Sequence, residues 1–409
     1  MWKKLNTDQI KERVFSALKQ NVNFFDDNVL GVPASHLDSK VFYSDAPFLH
    51  DAPYIATLLH NPNHIGCHTL GSSESFFKGT QQLEKEVIEI CATDILKAEP
   101  NQTDGYIASG GTEANLQAIW IYRNYFNQTA NARLSEICIL CSADSHYSMS
   151  KAANLLNIGI AKIAVDSETR QLNPETLKTT VNQLQQEGTK YFIVVANMMT
   201  TMFGSVDDVE TFTAVLTDLN APFKLHIDGA YGGFFYPFAD EKSNLNFANK
   251  HVSSVTLDAH KMVQAPYGTG IFLIRKDYMA YANTKDASYV EGEDYTIIGS
   301  RSGANAVSVW MILMTYGFYG WKEKITILLS RTNWLCLELD KLNIAYYRHP
   351  KSNIVTIKAQ FLNPGLAHEF GLVPDNHQQP NWYKIVVMEH VTIEKLQVLM
   401  ERLAVLQEG

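Results

Sequence analysis

The chain has 409 residues, of which 46% are hydrophobic and 19% charged, and its net charge is −9. That length is too great for one compact core and matches about two to three domains' worth of a soluble globular protein. The acidic balance and the lack of a basic run argue against a nucleic-acid or anionic-membrane partner, and the start Met1-Trp-Lys-Lys-Leu-Asn-Thr-Asp8 carries no apolar signal core. The five cysteines (67, 91, 138, 141 and 336) show no metal-ligand spacing, and an odd count without a secretion signal points to reduced thiols and a cytoplasmic setting.

Residues 1 to about 60 combine an amphipathic start with Pro- and Asp-rich turns, as expected of an N-terminal arm packing on a partner chain. Thr80 to Lys97 puts Leu83, Val87, Ile90, Cys91 and Ile95 at helical spacing. Short apolar runs then recur at Tyr106–Ala108, Ile137–Cys141, Ile160–Val165, Tyr191–Ala196, Phe223–Ile227, Val252–Leu257 and Gly270–Ile274, with helical stretches between them. The alternation predicts an α/β fold with a mostly parallel central sheet covered by helices. Ser302 to Gly320 holds no charged residue and is nearly long enough to span a bilayer, but it contains Asn305, three glycines and two serines. A buried helix at a domain or subunit interface fits that composition better. Beyond residue 310 a long helix leads to a smaller C-terminal α/β domain, with strands Ile354–Ile357 and Tyr383–Met388 and a closing helix Ile393–Leu406. The expected division is an arm (1–60), a large domain (61–310) and a small domain (311–409).

Four segments carry chemistry. Ser109-Gly110-Gly111-Thr112-Glu113 follows a strand and opens a helix. Glycines there let backbone amides approach an anion, the helix N-terminus adds partial positive charge, and Thr112 adds a hydroxyl. A plain turn capped by Thr112 would look the same. In Ser142-Ala-Asp-Ser-His146-Tyr147, His146 follows a strand and can lie flat on an aromatic ring, or can be a surface loop residue. In His226-Ile-Asp228-Gly-Ala230-Tyr-Gly-Gly233, Asp228 ends a strand at the edge where open α/β sheets bind ligands. A buried carboxylate needs a cationic or hydrogen-bonding partner. The small residues Gly229 and Ala230 leave room for a flat ring; a turn aspartate before glycine is the plainer alternative. Finally, Lys261 in Leu257-Asp-Ala-His260-Lys261 closes an apolar strand. A poorly solvated amine is more easily deprotonated and can then hold an aldehyde as a Schiff base, whereas a snorkelling lysine would only reach for solvent.

An aldehyde, a phosphate, a pyridinium nitrogen and an aromatic face occur together in pyridoxal 5'-phosphate. In this order the four segments resemble the pyridoxal-phosphate-dependent group II amino-acid decarboxylases, which have the aspartate-aminotransferase fold (fold type I). The likeness spans roughly Asn61 to Gly320. It implies that Gly110, Gly111 and Thr112 hold the phosphate, with His260 beside it. It implies further that His146 stacks on the ring, Asp228 and Ala230 lie at the ring nitrogen and under the ring, and Lys261 carries the cofactor. Thr200-Thr201-Met-Phe-Gly204-Ser-Val-Asp207 is similar to a further family segment and places a Thr200 hydroxyl near the ring's 3-oxygen or the substrate carboxylate, although Met199 stands where the family usually has glycine. Gly299-Ser-Arg301-Ser-Gly303 resembles a family segment in which the arginine fork would bind the α-carboxylate, with a helix-capping or interface arginine as the alternative. The resemblance offers Tyr289, Tyr295 and His146 as donors of a proton to Cα.

The implied activity is decarboxylation of an L-amino acid to the amine and carbon dioxide, in a homodimer with its site at the subunit interface. A carbon–carbon lyase similar to sphingosine-phosphate lyase is the alternative, and a non-catalytic protein binding the same cofactor ranks last. The region ahead of Leu83 leaves the side chain of the substrate open. His64, His68, Ser72 and Ser73 suit a polar or anionic group; Phe76 and Phe77 suit an aromatic one.

Overall fold

The computed structural model describes residues 6, 8, 9, 12, 28–31, 37–43, 53–66, 69–70, 75–283 and 293–408. A short strand β1 (Asn63–Ile65) precedes the strands of the central sheet. These are β2 (Thr103–Ala108), β3 (Ile137–Ser142), β4 (Gly159–Ile163), β5 (Tyr191–Asn197), β6 (Phe223–Gly229), β7 (Val252–Asp258) and β8 (Gly270–Arg275). Their order in the sheet is β2-β8-β7-β6-β5-β3-β4. Strands β3 to β7 pair in parallel; β8 runs antiparallel to both its neighbours. Every position of β2, β3 and β7 is buried, because helices cover both faces, and this is why these strands read as unbroken apolar runs. Alternate residues still serve opposite faces: Cys138 and Leu140 join one core, while Ile137, Ile139 and Cys141 join another.

The expected helix at 80–97 begins at Lys78 and continues through Ile95. Two helices of the large unit are capped as their sequences suggest. Asn173 accepts from the N–H groups of Glu175 and Thr176, and Asp208 from those of Glu210 and Thr211. The helix Gly111–Ala130 has no side-chain cap, so its first N–H groups stay open.

After β9 (Ser300–Ser302), which pairs antiparallel with β1, the uncharged stretch forms the first half of a helix running from Gly303 to Lys341 and broken at Gly317 (φ 60°, ψ 175°). Ala306, Val309 and Ile312 pack into the core of the large unit. Leu335, Cys336 and Leu339 pack into the small one. Residue 310, the expected boundary, therefore lies inside a helix shared by both units. Among the described residues, no helix is long and apolar enough to cross a membrane.

The small sheet is antiparallel, in the order β10-β11-β13-β12, from β10 (Tyr346–Tyr347), β11 (Ile354–Lys358), β12 (Val373–Pro374) and β13 (Trp382–Val386). Residues 28–31 lie along this sheet of their own chain: Leu30 donates to the Phe370 carbonyl at 3.0 Å and accepts from the Val386 N–H at 2.7 Å. Asp38, fully buried, pairs at 2.9 Å with Lys324, whose ammonium also meets Glu389 at 3.1 Å. Residues 30–31 and Asp38 are thus tied to their own chain.

Candidate active site

Strand register gathers the polar groups. In the parallel pairs Asn197 stands opposite Asp228, and Asp228 opposite Thr256; in the antiparallel pairs Asp258 and Ala108 both face Gly270. The carboxyl ends of β5, β6 and β7 thereby meet the end of β2 and the open N-terminus of the helix at Gly111. A hollow of about 320 Å³ lies there. Its walls include Gly110, Gly111, Thr112, His146, Thr200, Asp228, Ala230, His260 and Lys261, nine residues singled out in the sequence, now on one surface.

The β2-to-helix turn is tight because backbone passes close to backbone. A Cβ on Gly270 would stand 2.5 Å from Gly110 Cα, and one on Gly111 would stand 2.7 Å from Asp258 Oδ2. Those absent side chains leave a cradle in front of the uncapped amides. Beside it, His260 Nδ1 and Asp258 Oδ1 are buried polar atoms without a partner among the described residues. Burial also pushes the His260 imidazole below its usual pKa, the Asp258 charge only partly opposing this, so the neutral ring is favoured. An uncapped helix end, a side-chain-free cradle and the unmatched His260 Nδ1 fit an anionic, hydrogen-bonding group such as a cofactor phosphate; Asp258 Oδ1 only accepts and is no part of that fit.

Lys261 lies in the helical turn Ala259–Val263 that follows β7, and its amine pairs with Asp258 Oδ2 at 3.0 Å. Asp228 accepts from Asn115 Nδ2 at 2.9 Å and from the Ala230 N–H at 3.1 Å. His146 Nδ1 lies 2.9 Å from Ser148 Oγ, and burial lowers its pKa, so it too is favoured as the neutral ring. Thr200 Oγ1 sits 2.7 Å from Ser205 Oγ and accepts from the Ser205 N–H at 3.2 Å. Met199, where the family has glycine, takes a left-handed conformation (φ 69°) and is 3% exposed.

Arg301 stands apart from these residues. It does not line the hollow. Its guanidinium is buried against Glu84, contacts the Ile107 carbonyl at 3.2 Å, and lies over the Tyr106 ring. The fork matches a carboxylate as expected, but that carboxylate belongs to this chain. Glu84 also accepts from the Ile107 N–H at 2.7 Å and meets His64 Nδ1 at 3.0 Å, which makes His64 a structural residue of the β1–β9 corner as well. Tyr295, one of the residues offered as a proton donor, is 8% exposed, packs in a core cluster with Tyr106 and Phe272 and does not line the hollow. Tyr289, His68, Ser72 and Ser73 lie outside the described residues, and Phe76 is 83% exposed.

Sequence reasoning gave no role to several groups. Asn197 and Asp207 brace the loop between them, with Asn197 donating to Asp207 Oδ2 through both backbone (2.8 Å) and side chain (2.6 Å). Burial pushes Asp207 up to about 6. Lys384 of β13 is 4% exposed and donates to the Thr201 carbonyl at 3.0 Å. Burial, with the Lys261 charge adding to it, pushes the Lys384 amine down to about 8. The available signal was a lone charge inside the apolar run Tyr383-Lys384-Ile-Val-Val-Met388.

Comparison with known proteins gives this arrangement its family. Residues 79–343 match the pyridoxal-dependent decarboxylase conserved domain. The chain is 47% identical to a tryptophan decarboxylase of Clostridium sporogenes over 400 residues, 98% of this chain and 96% of that protein. It is 32% identical to a probable L-tyrosine/L-aspartate decarboxylase of Methanothermobacter thermautotrophicus over 80% of this chain and 88% of that one. Among solved structures, L-methionine decarboxylase from Streptomyces superposes with a TM-score of 0.78 at 19% identity, covering 98% of this chain and 95% of that one, which shows the shared fold. The chain belongs to the pyridoxal-dependent decarboxylases. It is a fold type I enzyme that uses pyridoxal 5'-phosphate to decarboxylate an amino acid.

Proposed function

We propose that the substrate is an aromatic L-amino acid, with L-tryptophan first among them, and that the products are the arylethylamine and carbon dioxide. The observation that carries this reading is the 47% identity, over nearly the whole chain, to a protein described as a tryptophan decarboxylase. Tyr147 and Met199 on the wall of the hollow supply apolar surface of the kind a flat side chain needs.

Pyridoxal phosphate, when bound, supplies the aldehyde that takes up the substrate amine and the ring that withdraws electrons from Cα. The chain's residues do the rest. Lys261 would hold the aldehyde. The amides at the start of the helix from Gly111 and the Thr112 hydroxyl would hold the phosphate, with His260 alongside. Asp228 would pair with the ring nitrogen, and His146 and Ala230 would take the two sides of the ring. Thr200 Oγ1 accepts from the Ser205 N–H, and with the Ser205 hydroxyl also donating to it, its own hydrogen would turn toward the ring's oxygen. With Arg301 closed off by Glu84, the proposed partner of the substrate carboxylate is Lys384, which is not on the wall itself but donates to the carbonyl of Thr201, a wall residue. Fixing that carboxylate in one direction would be an orientation effect of the kind that lowers barriers substantially. Tyr289 and His146 are the proposed donors of the Cα proton.

The division into an arm, a large cofactor-binding unit and a small C-terminal unit is part of the same reading, with the shared helix as the hinge. So is a cytoplasmic homodimer. Helix Pro53–His60 lies against the helix from Gly303 and exposes Ile55, Leu58 and Leu59, apolar surface that a second copy would cover. A carbon–carbon lyase is less supported: the likeness to a sphingosine-1-phosphate lyase of Burkholderia pseudomallei, TM-score 0.79 at 15% identity, shows the fold alone.

The deciding experiment is a panel of amino acids given to the holoenzyme and scored for carbon dioxide, amine and aldehyde. L-Tryptophan should release carbon dioxide and amine in equal amounts. Preference for aspartate or glutamate would overturn the aromatic assignment, and aldehyde without carbon dioxide would overturn decarboxylation.

A further inference from the structure

Asn115 is 1% exposed and sits one turn into the helix that begins at Gly111. Its side-chain nitrogen donates to Asp228 Oδ2 at 2.9 Å and to Ser148 Oγ at 3.2 Å. Ser148 Oγ is in turn 2.9 Å from His146 Nδ1. One amide therefore reaches both groups assigned to the cofactor ring, the carboxylate at its nitrogen and the imidazole on its face.

An amide can do this in one orientation only. Flipped, it would set Oδ1 against the Asp228 carboxylate, oxygen to oxygen, with no donor for Ser148. His226 opposes the flip. It lies on β6 two residues before Asp228, so both side chains project from the same face of the strand. His226 Nε2 is 2.9 Å from Asn115 Oδ1, an atom that only accepts, so Nε2 carries the hydrogen. Nδ1 is 2.7 Å from Ser254 Oγ, and the Tyr122 hydroxyl donates to that same oxygen. Burial pushes His226 down to about 4, so the ring is neutral near neutral pH and Nδ1 accepts from Ser254. Every donor then points one way: Tyr122 to Ser254, Ser254 to His226, His226 to Asn115, Asn115 to Asp228. The chain starts at a helix face, crosses the buried middle of the sheet and ends in the hollow.

We propose that Asn115 and His226 are positioning residues for the cofactor ring: His226 locks the orientation of the Asn115 amide, and Asn115 sets Asp228 and His146 relative to each other. The inference rests on the roles given to Asp228 and His146 above. A side chain that holds a ligand group through a second hydrogen bond costs about 10- to 100-fold in affinity or activity when removed.

The test compares His226→Leu, His226→Gln, Asn115→Leu and Ser254→Ala with the unmodified protein. Two quantities are read: the dissociation constant of pyridoxal phosphate from the apoprotein, and the visible circular dichroism of the bound cofactor, which reports how the ring is seated. Glutamine can place an N–H where Nε2 stands; leucine cannot. His226→Leu and Asn115→Leu should bind the cofactor about 10-fold more weakly and lose most of the visible dichroism. His226→Gln should stay close to the unmodified protein, and Ser254→Ala should shift both readings in the same direction as His226→Leu, but less. Unchanged binding and dichroism in His226→Leu would overturn the inference, as would a His226→Gln protein as impaired as His226→Leu, since burial volume rather than the donor would then be at work. Should both leucine variants fail to fold, Ser254→Ala decides: unaltered dichroism in it overturns the inference. An unmodified protein that binds no pyridoxal phosphate overturns the site reading itself, whereas normal binding by that protein with unaltered variants overturns this inference alone.

Discussion

Glu84→Gln separates a structural Arg301 from a substrate-binding one. Glu84 is fully buried, and its carboxylate takes Arg301, His64 and the Ile107 N–H. Burial raises its pKa, but the Arg301 charge and the His64 hydrogen bond more than reverse this and hold it at about 2, against 4.5 for the free group. At 1.36 kcal/mol per pKa unit the difference amounts to about 3 kcal/mol of stability. Removing one partner of a buried ion pair costs about 3–5 kcal/mol by another route, because the remaining charge is left uncompensated. The two figures agree, so Glu84→Gln and Arg301→Met should each lower the thermal midpoint of the apoprotein by about 5 °C or more. The Glu84→Met/Arg301→Met pair should recover much of that loss, since neither charge is then left alone. The sign with pH follows from a depressed carboxyl: the stabilisation is present in full above about 4.5 and lost as pH falls through about 2. The deficit of Glu84→Gln should therefore stay constant between about pH 6 and 8. An Arg301→Met protein that melts normally but shows a KM raised about 100-fold would refute the reasoning and return Arg301 to the substrate.

Two further changes test other parts of the account. Met199→Gly removes a left-handed residue worth about 1 kcal/mol of strain but also a buried side chain worth about 2–5 kcal/mol. The burial term is larger, so the variant should be destabilised by about 1–4 kcal/mol in urea unfolding; a gain in stability would show that Met199 contributes little packing. Lys384 titrates near 8, and a carboxylate partner needs the ammonium form. For the holoenzyme, kcat/KM should therefore fall as pH rises through about 8. Lys384→Arg, which stays charged, should move that fall to higher pH, and an unmoved profile would remove Lys384 from the substrate site.

Much of this site could be read along the chain, because the informative residues cluster where a strand ends and a turn begins. Gly110-Gly111-Thr112, Asp228-Gly-Ala230 and His260-Lys261 each join a strand end to small or functional residues within a few positions, and parallel register between β6 and β7, with antiparallel register across β8 to β2, then brings those ends together. Other relations had no local trace. Arg301 lies 217 residues from Glu84 and Asn115 lies 113 from Asp228, so the pairings arise only when β1 meets β9 and the helix Gly111–Ala130 packs over β6. The direction of β8 had a signal: residues 259–269, between β7 and β8, are too few for a covering crossover, and the pair is antiparallel. The antiparallel small sheet was less legible, since two of its strands, Tyr346–Tyr347 and Val373–Pro374, are too short to show a period.

The central claim is that one amine of this chain carries the cofactor. Borohydride reduction of the holoenzyme, proteolysis and mass spectrometry locate that amine directly. A reduced pyridoxyl group on the peptide containing Lys261, together with a colourless Lys261→Ala protein, is the expected result; the same group on Lys384 or another lysine, or on none, contradicts it.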